Sequence, residues 1–197
     1  MKDEAKKPEL HVSSFSDEKV KGYIETLEEI QQNFGNQQPI LVKIASYGGS
    51  IYGFWALYEH LVLMGSPIIT YTSSHAMSAG CFLLATAAKK GNRFASPNAS
   101  IMLHEIQSGF GGDVKDIEDQ ASFLKVENDK LLKLFAKSVG LASAKDVRDM
   151  IKQNANGHDL NMTAAKAKQL GIVDHVSYLK LSPPVIGYNI IQVTKKV

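Results

Sequence analysis

An α/β fold is predicted by three observations in this sequence of 197 residues. Short apolar, β-rich runs alternate with amphipathic helical stripes, small-residue turns join the two, and the strand-turn-helix unit occurs twice in the first half of the chain.

Taking the elements in order, residues 14–34 open with a capping-box pattern, Ser14 followed by Asp17. They then place Val20, Tyr23, Ile24, Leu27, Ile30 and Phe34 at helical spacing, so a helix is expected there, stopped by Gly35. Residues 39–45 form an apolar run that leads through Ser46-Tyr47-Gly48-Gly49-Ser50 into a second helical stripe at Ile51, Phe54, Trp55, Tyr58 and Val62. Gly65-Ser66-Pro67 is a breaker, residues 68–72 read as a buried strand, and the small residues 73–80 lead into a helical run over 81–89. A further strand is expected at 100–104, followed by Gly109-Phe110-Gly111-Gly112 and a long helical pattern over 114–139. In that helix Ile117, Leu124, Leu131, Leu132 and Phe135 are interleaved with Lys, Glu and Asp, which suits a helix projecting toward solvent or a partner subunit. Ser143 and Asp146 form another capping box, residues 154–158 a polar loop, and Thr163 caps a short helix that Gly171 ends before Ile172-Val173-Asp174. Residues 178–197 read as a tail with a strand at 188–193.

The chain length and its 44% hydrophobic content are those of one compact domain able to bury a substantial core, with residues 1–9 expected to be flexible. A net charge of only +2, with the lysines dispersed, gives no electrostatic footprint for nucleic acid, and no such partner is expected. The opening MKDEAKKP has no apolar core, and no stretch reaches the roughly 18 apolar residues of a membrane span, so a cytoplasmic protein is expected. The single Cys81, in GCFLLA, reads as a small core residue. No H-E-x-x-H, C-x-x-C or phosphate-loop pattern is present, so neither metal nor cofactor is implied.

Hydrolysis of an amide at neutral pH needs an activated nucleophile, a base and donors aimed at the developing oxyanion. Ala76-Met77-Ser78-Ala79-Gly80 looks like a nucleophile elbow with its first glycine replaced by alanine; the same pattern also fits a serine that merely caps a helix. His104 ends a predicted strand, where an imidazole can meet both nucleophile and solvent, although taken alone it fits a structural histidine as well. Gly48 and Gly49 follow a strand and open a helix, an arrangement that can bring a backbone N–H close to a bound carbonyl and that equally fits a plain tight turn.

Ser46-Tyr47-Gly48-Gly49-Ser50, Met77-Ser78-Ala79-Gly80-Cys81-Phe82-Leu83-Leu84, Arg93-Phe94-Ala95-Ser96-Pro97-Asn98, Ile101-Met102-Leu103-His104 and the glycine-rich turn before Asp116-Ile117-Glu118 together resemble the Clp protease proteolytic subunit family, over roughly residues 10–176. The resemblance implies a crotonase-like spiral of β/α units and a Ser-His-Asp triad. It also implies subunits stacked as rings around a degradation chamber, with Gly109 to Gly112 and the long helix supplying contacts between rings. It puts the nucleophile at Ser78, the base at His104 and the oxyanion donors at the backbone N–H groups of Gly49 and Ala79. Matching Met162-Thr163-Ala164 and Leu170-Gly171-Ile172-Val173-Asp174 to the family's closing segment places the acid at Asp159, with Asp149 as fallback. The interval from His104 to Asp159 exceeds the family's by several residues, near 154–158. Peptide substrates would add as a strand beside Gly48, Ser50 and Ile51 and the segment Glu105-Ile106. An α/β-hydrolase would instead run serine, acid, histidine, as in Ser78, Asp146, His175.

The sequence departs from the family at Tyr47 in place of proline, Ala79 in place of methionine and Ile106 in place of proline. Few residues precede the first strand, where the family carries gating loops that engage an ATPase unfoldase, and this argues against an unfoldase partner. The carboxy-terminal extension from about residue 179 is longer than usual. The expected activity is therefore that of an oligomeric serine endopeptidase acting on peptides or unfolded proteins. Two alternatives stand beside it: an acyl-CoA hydratase or isomerase of the same fold, relying on carboxylates, and a catalytically impaired scaffold or regulatory subunit.

Overall fold

The computed structural model describes residues 7–182 and 189–193. Of residues 1–9, positions 1–6 lie outside the described residues, and Glu9 opens the first strand. In chain order the elements are β1 (Glu9–Val12), α1 (Asp17–Phe34), β2 (Ile40–Ile44), α2 (Ile51–Leu63), β3 (Ile68–Thr72), β4 (His75–Met77), α3 (Ala79–Thr86) and β5 (Arg93–Ala95). There follow β6 (Ser100–Leu103), α4 (Val114–Val139), α5 (Ala144–Asn154), β7 (Leu160–Thr163), α6 (Ala164–Gln169), β8 (His175–Val176), β9 (Tyr178–Ser182) and β10 (Asn189–Val193).

The main sheet has the order β1-β2-β3-β5-β8 and is parallel throughout. Both faces of a parallel sheet must be covered, and the side chains divide accordingly. Ile40, Val42, Ile44 and Ile68 face the main core with α1, α2 and α3, whereas Leu41, Ile69, Tyr71 and Phe94 face the other way and are covered by Leu179 of β9. This is the expected α/β architecture of successive strand-turn-helix units. A second sheet, β4-β6-β7, pairs β4 parallel to β6 and β6 antiparallel to β7. An isolated parallel bridge between Ser46 and Ala76 ties the end of the first unit to the second sheet.

Several boundaries differ from the sequence reading: the helical run expected over 81–89 is α3, Ala79–Thr86, and two further differences have visible causes. Helix α1 starts at Asp17 behind an N-cap Ser16 that makes no side-chain cap bond, because Phe15 is fully buried and bridges Gly49 in parallel, holding the chain extended through that point. Ser14 spends its hydroxyl on the Ser16 N–H at 3.4 Å. Strand pairing near the carboxy terminus of the core begins at His175, not 172, because Asp174 is turned onto Arg93. The tail strand expected at 188–193 is β10, paired antiparallel with β9; Tyr188 lies outside the described residues.

Arg93 is a fully buried cation, 1% exposed, and each of its three side-chain nitrogens has a partner. It donates to Asp174 from Nε at 2.9 Å and from Nη2 at 2.6 Å, and from Nη1 to the carbonyls of Ala85 and Ser138 at the ends of α3 and α4. One side chain thus staples β5, α3, α4 and the β8 approach. Helix α4 is buried only in its second half, at Leu131, Leu132 and Phe135 among others. Toward its start Val114, Phe123 and Val126 are exposed, so the helix projects from the body of the fold. No helix among the described residues is long and apolar enough to cross a membrane.

Candidate active site

Three segments converge at the carboxyl ends of β2, β4 and β6. In the first, residues 46–50, Ser46 is fully buried and its hydroxyl accepts the Gly48 N–H at 3.0 Å, folding the turn back on itself. Gly48 has φ +109°, and a Cβ there would stand 2.7 Å from the Ser78 Cβ and 3.1 Å from its Oγ. Glycine is therefore required both by the backbone conformation and by the approach of the second segment. Ser50 closes this turn by capping α2, accepting from the N–H groups of Tyr52 and Gly53 at 3.2 and 3.3 Å.

The second segment carries Ser78, which has φ +52° and ψ −123°, the one positive φ at a non-glycine among the described residues. A side-chain-bearing residue persists in such a conformation only when its surroundings over-determine it. Here they do: Met77 N–H donates to Ser46 O and Ser78 N–H to Met102 O, both at 2.9 Å, while α3 starts at the next residue. The Ser78 hydroxyl makes no capping bond to α3 and has no hydrogen-bond partner among the described residues. Ala79, the first residue of α3, carries an N–H with no intrahelical acceptor at the positive end of the helix dipole.

The third segment begins at His104, directly after β6. Its Nδ1 lies against the main-chain carbonyl of Glu105, so Nδ1 bears the proton and donates. In the neutral ring this leaves the Nε2 lone pair free. Ser78, Ala79, His104 and Gly49 line one cavity of about 390 Å³, together with Ser50, Ile51, Glu105 and Ile106 and an apolar floor that includes Phe82, Phe123, Leu124 and Leu131.

Asp159 does not line that cavity. It lies exposed in the loop between α5 and β7, where its carboxylate accepts from Gln107 Nε2 at 3.3 Å. No hydrogen bond joins it to His104 among the described residues. Asp149 sits on α5 and is paired with Lys145 at 2.5 Å. Asp146 accepts from Ser143, while His175 stacks on Phe94 and bonds the Gly91 carbonyl at 3.1 Å, so neither is grouped with Ser78. Tyr47, three-quarters exposed, packs against His75 with ring centroids 4.3 Å apart and the planes tilted by 36°. Burial pushes the Cys81 thiol up, leaving it protonated beneath the site.

Sequence reasoning missed the group behind His104. The Glu105 carboxylate is gripped by Asn128 Nδ2 of α4 and by Arg148 Nε of α5, the latter at 3.0 Å. Asn128 Oδ1 also accepts the Ile106 N–H at 3.0 Å, and Arg148 reaches on to Asp129. The hydrogen bond from Arg148 holds the Asp129 carboxyl below its ordinary range. Separations of 23 and 43 residues leave no local pattern from which this group could be read.

A free hydroxyl on a strained turn, a neighbouring imidazole with one bare nitrogen, and N–H donors at a helix start are the parts needed for nucleophilic acyl transfer. A family model described as Clp protease matches residues 11–179. The ATP-dependent Clp protease proteolytic subunit of Deinococcus radiodurans is 34% identical over 140 residues, which cover 71% of this chain and 65% of that protein. The ATP-dependent Clp protease proteolytic subunit 1 of Leifsonia xyli subsp. xyli is 33% identical over 142 residues, covering 72% of this chain and 68% of that protein. The aligned stretch thus takes in just under two thirds of the first relative's length.

Proposed function

This chain belongs to the Clp protease family, and on that premise we propose that it is a serine endopeptidase that hydrolyses peptide bonds inside an oligomeric, ring-forming assembly. His104 Nε2 takes the Ser78 proton as the hydroxyl attacks a peptide carbonyl; the same proton is then delivered to the leaving amine. The N–H groups of Gly49 and Ala79 receive the oxyanion. Water repeats the sequence on the acyl-enzyme. Asp159 is the acid whose charge balances the imidazolium, while the Glu105 carbonyl goes on holding the Nδ1 proton.

The observation that carries this reading is the unpartnered Ser78 hydroxyl, held at a positive φ and facing the same cavity as His104. Extended peptides would bind along Gly48, Ser50 and Ile51 on one side and Glu105 and Ile106 on the other, the substrates being peptides or unfolded proteins. The exposed apolar start of α4, with Gly109 to Gly112, would contact a second ring, in a single-domain subunit working in the cytoplasm. An ATPase unfoldase is not part of the proposal. The hydratase or isomerase alternative needs a free carboxylate, and the one acid lining the cavity among the described residues, Glu105, is engaged by Asn128 and Arg148.

A second reading, a catalytically impaired scaffold, is favoured by the Asp159 carboxylate being bound to Gln107. Labelling with a fluorophosphonate separates the two. Covalent capture at Ser78, abolished in Ser78→Ala, with peptide turnover falling by about a millionfold, supports the peptidase. An assembled particle that is neither labelled nor active identifies the scaffold.

A further inference from the structure

We propose that Asn128 and Arg148 are positioning residues for His104, acting through Glu105 to fix which ring nitrogen carries the proton. The inference rests on the peptidase reading above for its kinetic consequence, but its geometric content stands on the hydrogen bonds alone.

The segment after β6 has no regular structure from His104 to the start of α4, so nothing in a helix or sheet ladder sets the direction of the Glu105 carbonyl. Side chains from two helices set it instead. Asn128, 8% exposed, uses both ends of its amide: Nδ2 holds the Glu105 carboxylate and Oδ1 holds the Ile106 N–H at 3.0 Å. The peptide unit between residues 105 and 106 is therefore fixed on α4 through its nitrogen and through the side chain ahead of it. Its carbonyl is the acceptor for His104 Nδ1–H. Arg148 adds a grip on the same carboxylate from α5 at 3.0 Å and is itself steadied by Asp129.

The ion pairs in this group are too open to matter much for stability: the Arg148, Glu105 and Asp129 side chains are 35%, 42% and 40% exposed. What the group does provide is direction. An imidazole whose Nδ1 proton is taken by a fixed acceptor keeps its lone pair on Nε2, the atom that must accept the nucleophile's proton; a ring without that acceptor divides its proton between the two nitrogens. In metal sites, outer partners that orient a ligating histidine carry about 10–100-fold in affinity or activity, and a loss of that order is expected for a base oriented in the same way. Helices α4 and α5, although neither contributes to attack on the substrate, are thereby coupled to the base.

The test uses the full-length assembled protein and three variants: Asn128→Ala, Arg148→Ala and Arg148→Lys. Rates of Ser78 labelling by a fluorophosphonate and peptide turnover are measured, and nitrogen-15 imidazole spectra report the His104 tautomer. The expected result is a loss of about 10–100-fold in labelling rate and kcat in each alanine variant, with KM changed by less than about threefold. Arg148→Lys retains more activity than Arg148→Ala, and the His104 signal moves from the Nδ1-protonated pattern toward a mixture. Should Asn128→Ala fail to fold, the half-exposed Arg148 carries the test. Folded variants with unchanged tautomer signals, or with faster labelling, overturn the inference. If the unmodified protein is itself not labelled, the peptidase reading fails, and the spectra still decide whether the clamp sets the tautomer.

Discussion

Replacing Ser78 by glycine and by alanine should give two inactive proteins of different stability, the glycine variant being the more stable. Alanine removes the hydroxyl, which makes no hydrogen bond, and leaves a Cβ at φ +52° and ψ −123°, so Ser78→Ala should lie within about 0.5 kcal/mol of the parent. Glycine removes the Cβ as well. A side chain in a sparsely populated backbone region costs about 1–3 kcal/mol, against which glycine forfeits about 0.5–1 kcal/mol of backbone entropy. The net gain of Ser78→Gly over Ser78→Ala is then about 1–2 kcal/mol. For a chain of this size that corresponds to a melting temperature higher by about 2–8 °C. Thermal unfolding followed by circular dichroism, at matched protomer concentration because association adds to apparent stability, measures it. A glycine variant that melts at or below the alanine variant would show that the turn stores no strain, and the argument that Ser78 is kept there for its hydroxyl would lose its physical basis.

The neighbouring turn and the buried ion pair give two further expectations. Gly48→Ala places a methyl 2.7 Å from the Ser78 Cβ at φ +109°, so the Ser78 side chain must move; if Ser78 is the nucleophile, turnover should fall by about 100-fold or more while the fold persists, and unchanged kcat would refute the close approach. Asp174→Asn leaves Arg93 buried without a counter-charge and should cost about 3–5 kcal/mol in denaturant unfolding. Burial alone would raise the Asp174 carboxyl, but the hydrogen bonds and charge of Arg93, with the N–H groups of Gly91 and Arg93, outweigh it and hold it below its ordinary value of 3.8. Its contribution is therefore fully present above that ordinary value and disappears as pH falls through the lower folded one. The stability gap between parent and variant should be level above about pH 5 and close in more acid solution. A gap that does not change with pH refutes the pairing as its source.

Much of the architecture was legible because most of the elements are long enough to show a period. The stripes of α1 and α2 and the pattern over 114–139 follow directly from side-chain spacing, and Ser143 and Thr163 cap their helices, although the box expected at Ser143 is half formed because the Asp146 carboxylate takes the Ser143 hydroxyl instead of the Ser143 backbone N–H. Strands of three or four residues, such as β4, β5 and β7, are too short for alternation to register, and they exist because neighbouring backbone requires partners. The misread start of α1 has the same origin: Ser14 and Asp17 make a plausible local box, yet burial of Phe15 against the Gly49 turn decides the boundary. At the site, Ser78, His104 and the glycine pair each stand at a strand end, but each motif alone fits a cap, a structural histidine or a tight turn equally well, and only the family resemblance over several linked motifs singled them out. The hold on Glu105 comes from the interior of α4 and from α5, where Asn and Arg at helical positions look like ordinary solvated polar residues.

Backbone register explains why residues so far apart in sequence meet. β4 and β6 are parallel with Met77 opposite Met102, and the Ser78 N–H continues that ladder onto Met102 O, so the serine leaves its strand where the partner strand is about to end at Leu103. His104 follows at once. Side chains alternate along a strand, so a slip of one residue in this pairing would send the imidazole to the opposite face. The Ser46–Ala76 bridge locks the Gly48–Gly49 turn to the same ladder, and the 2.7 Å approach at Gly48 leaves no room for a different register. None of these constraints involves a side chain at 47, 79 or 106, the positions where the sequence departs from its family. Tyr47 packs outward against His75, while Ala79 and Ile106 line the cavity. Two of those departures change the lining of the cavity, and the third lies outside it; that serine and histidine reach a common space is decided by main-chain hydrogen bonds and by the close approach at Gly48.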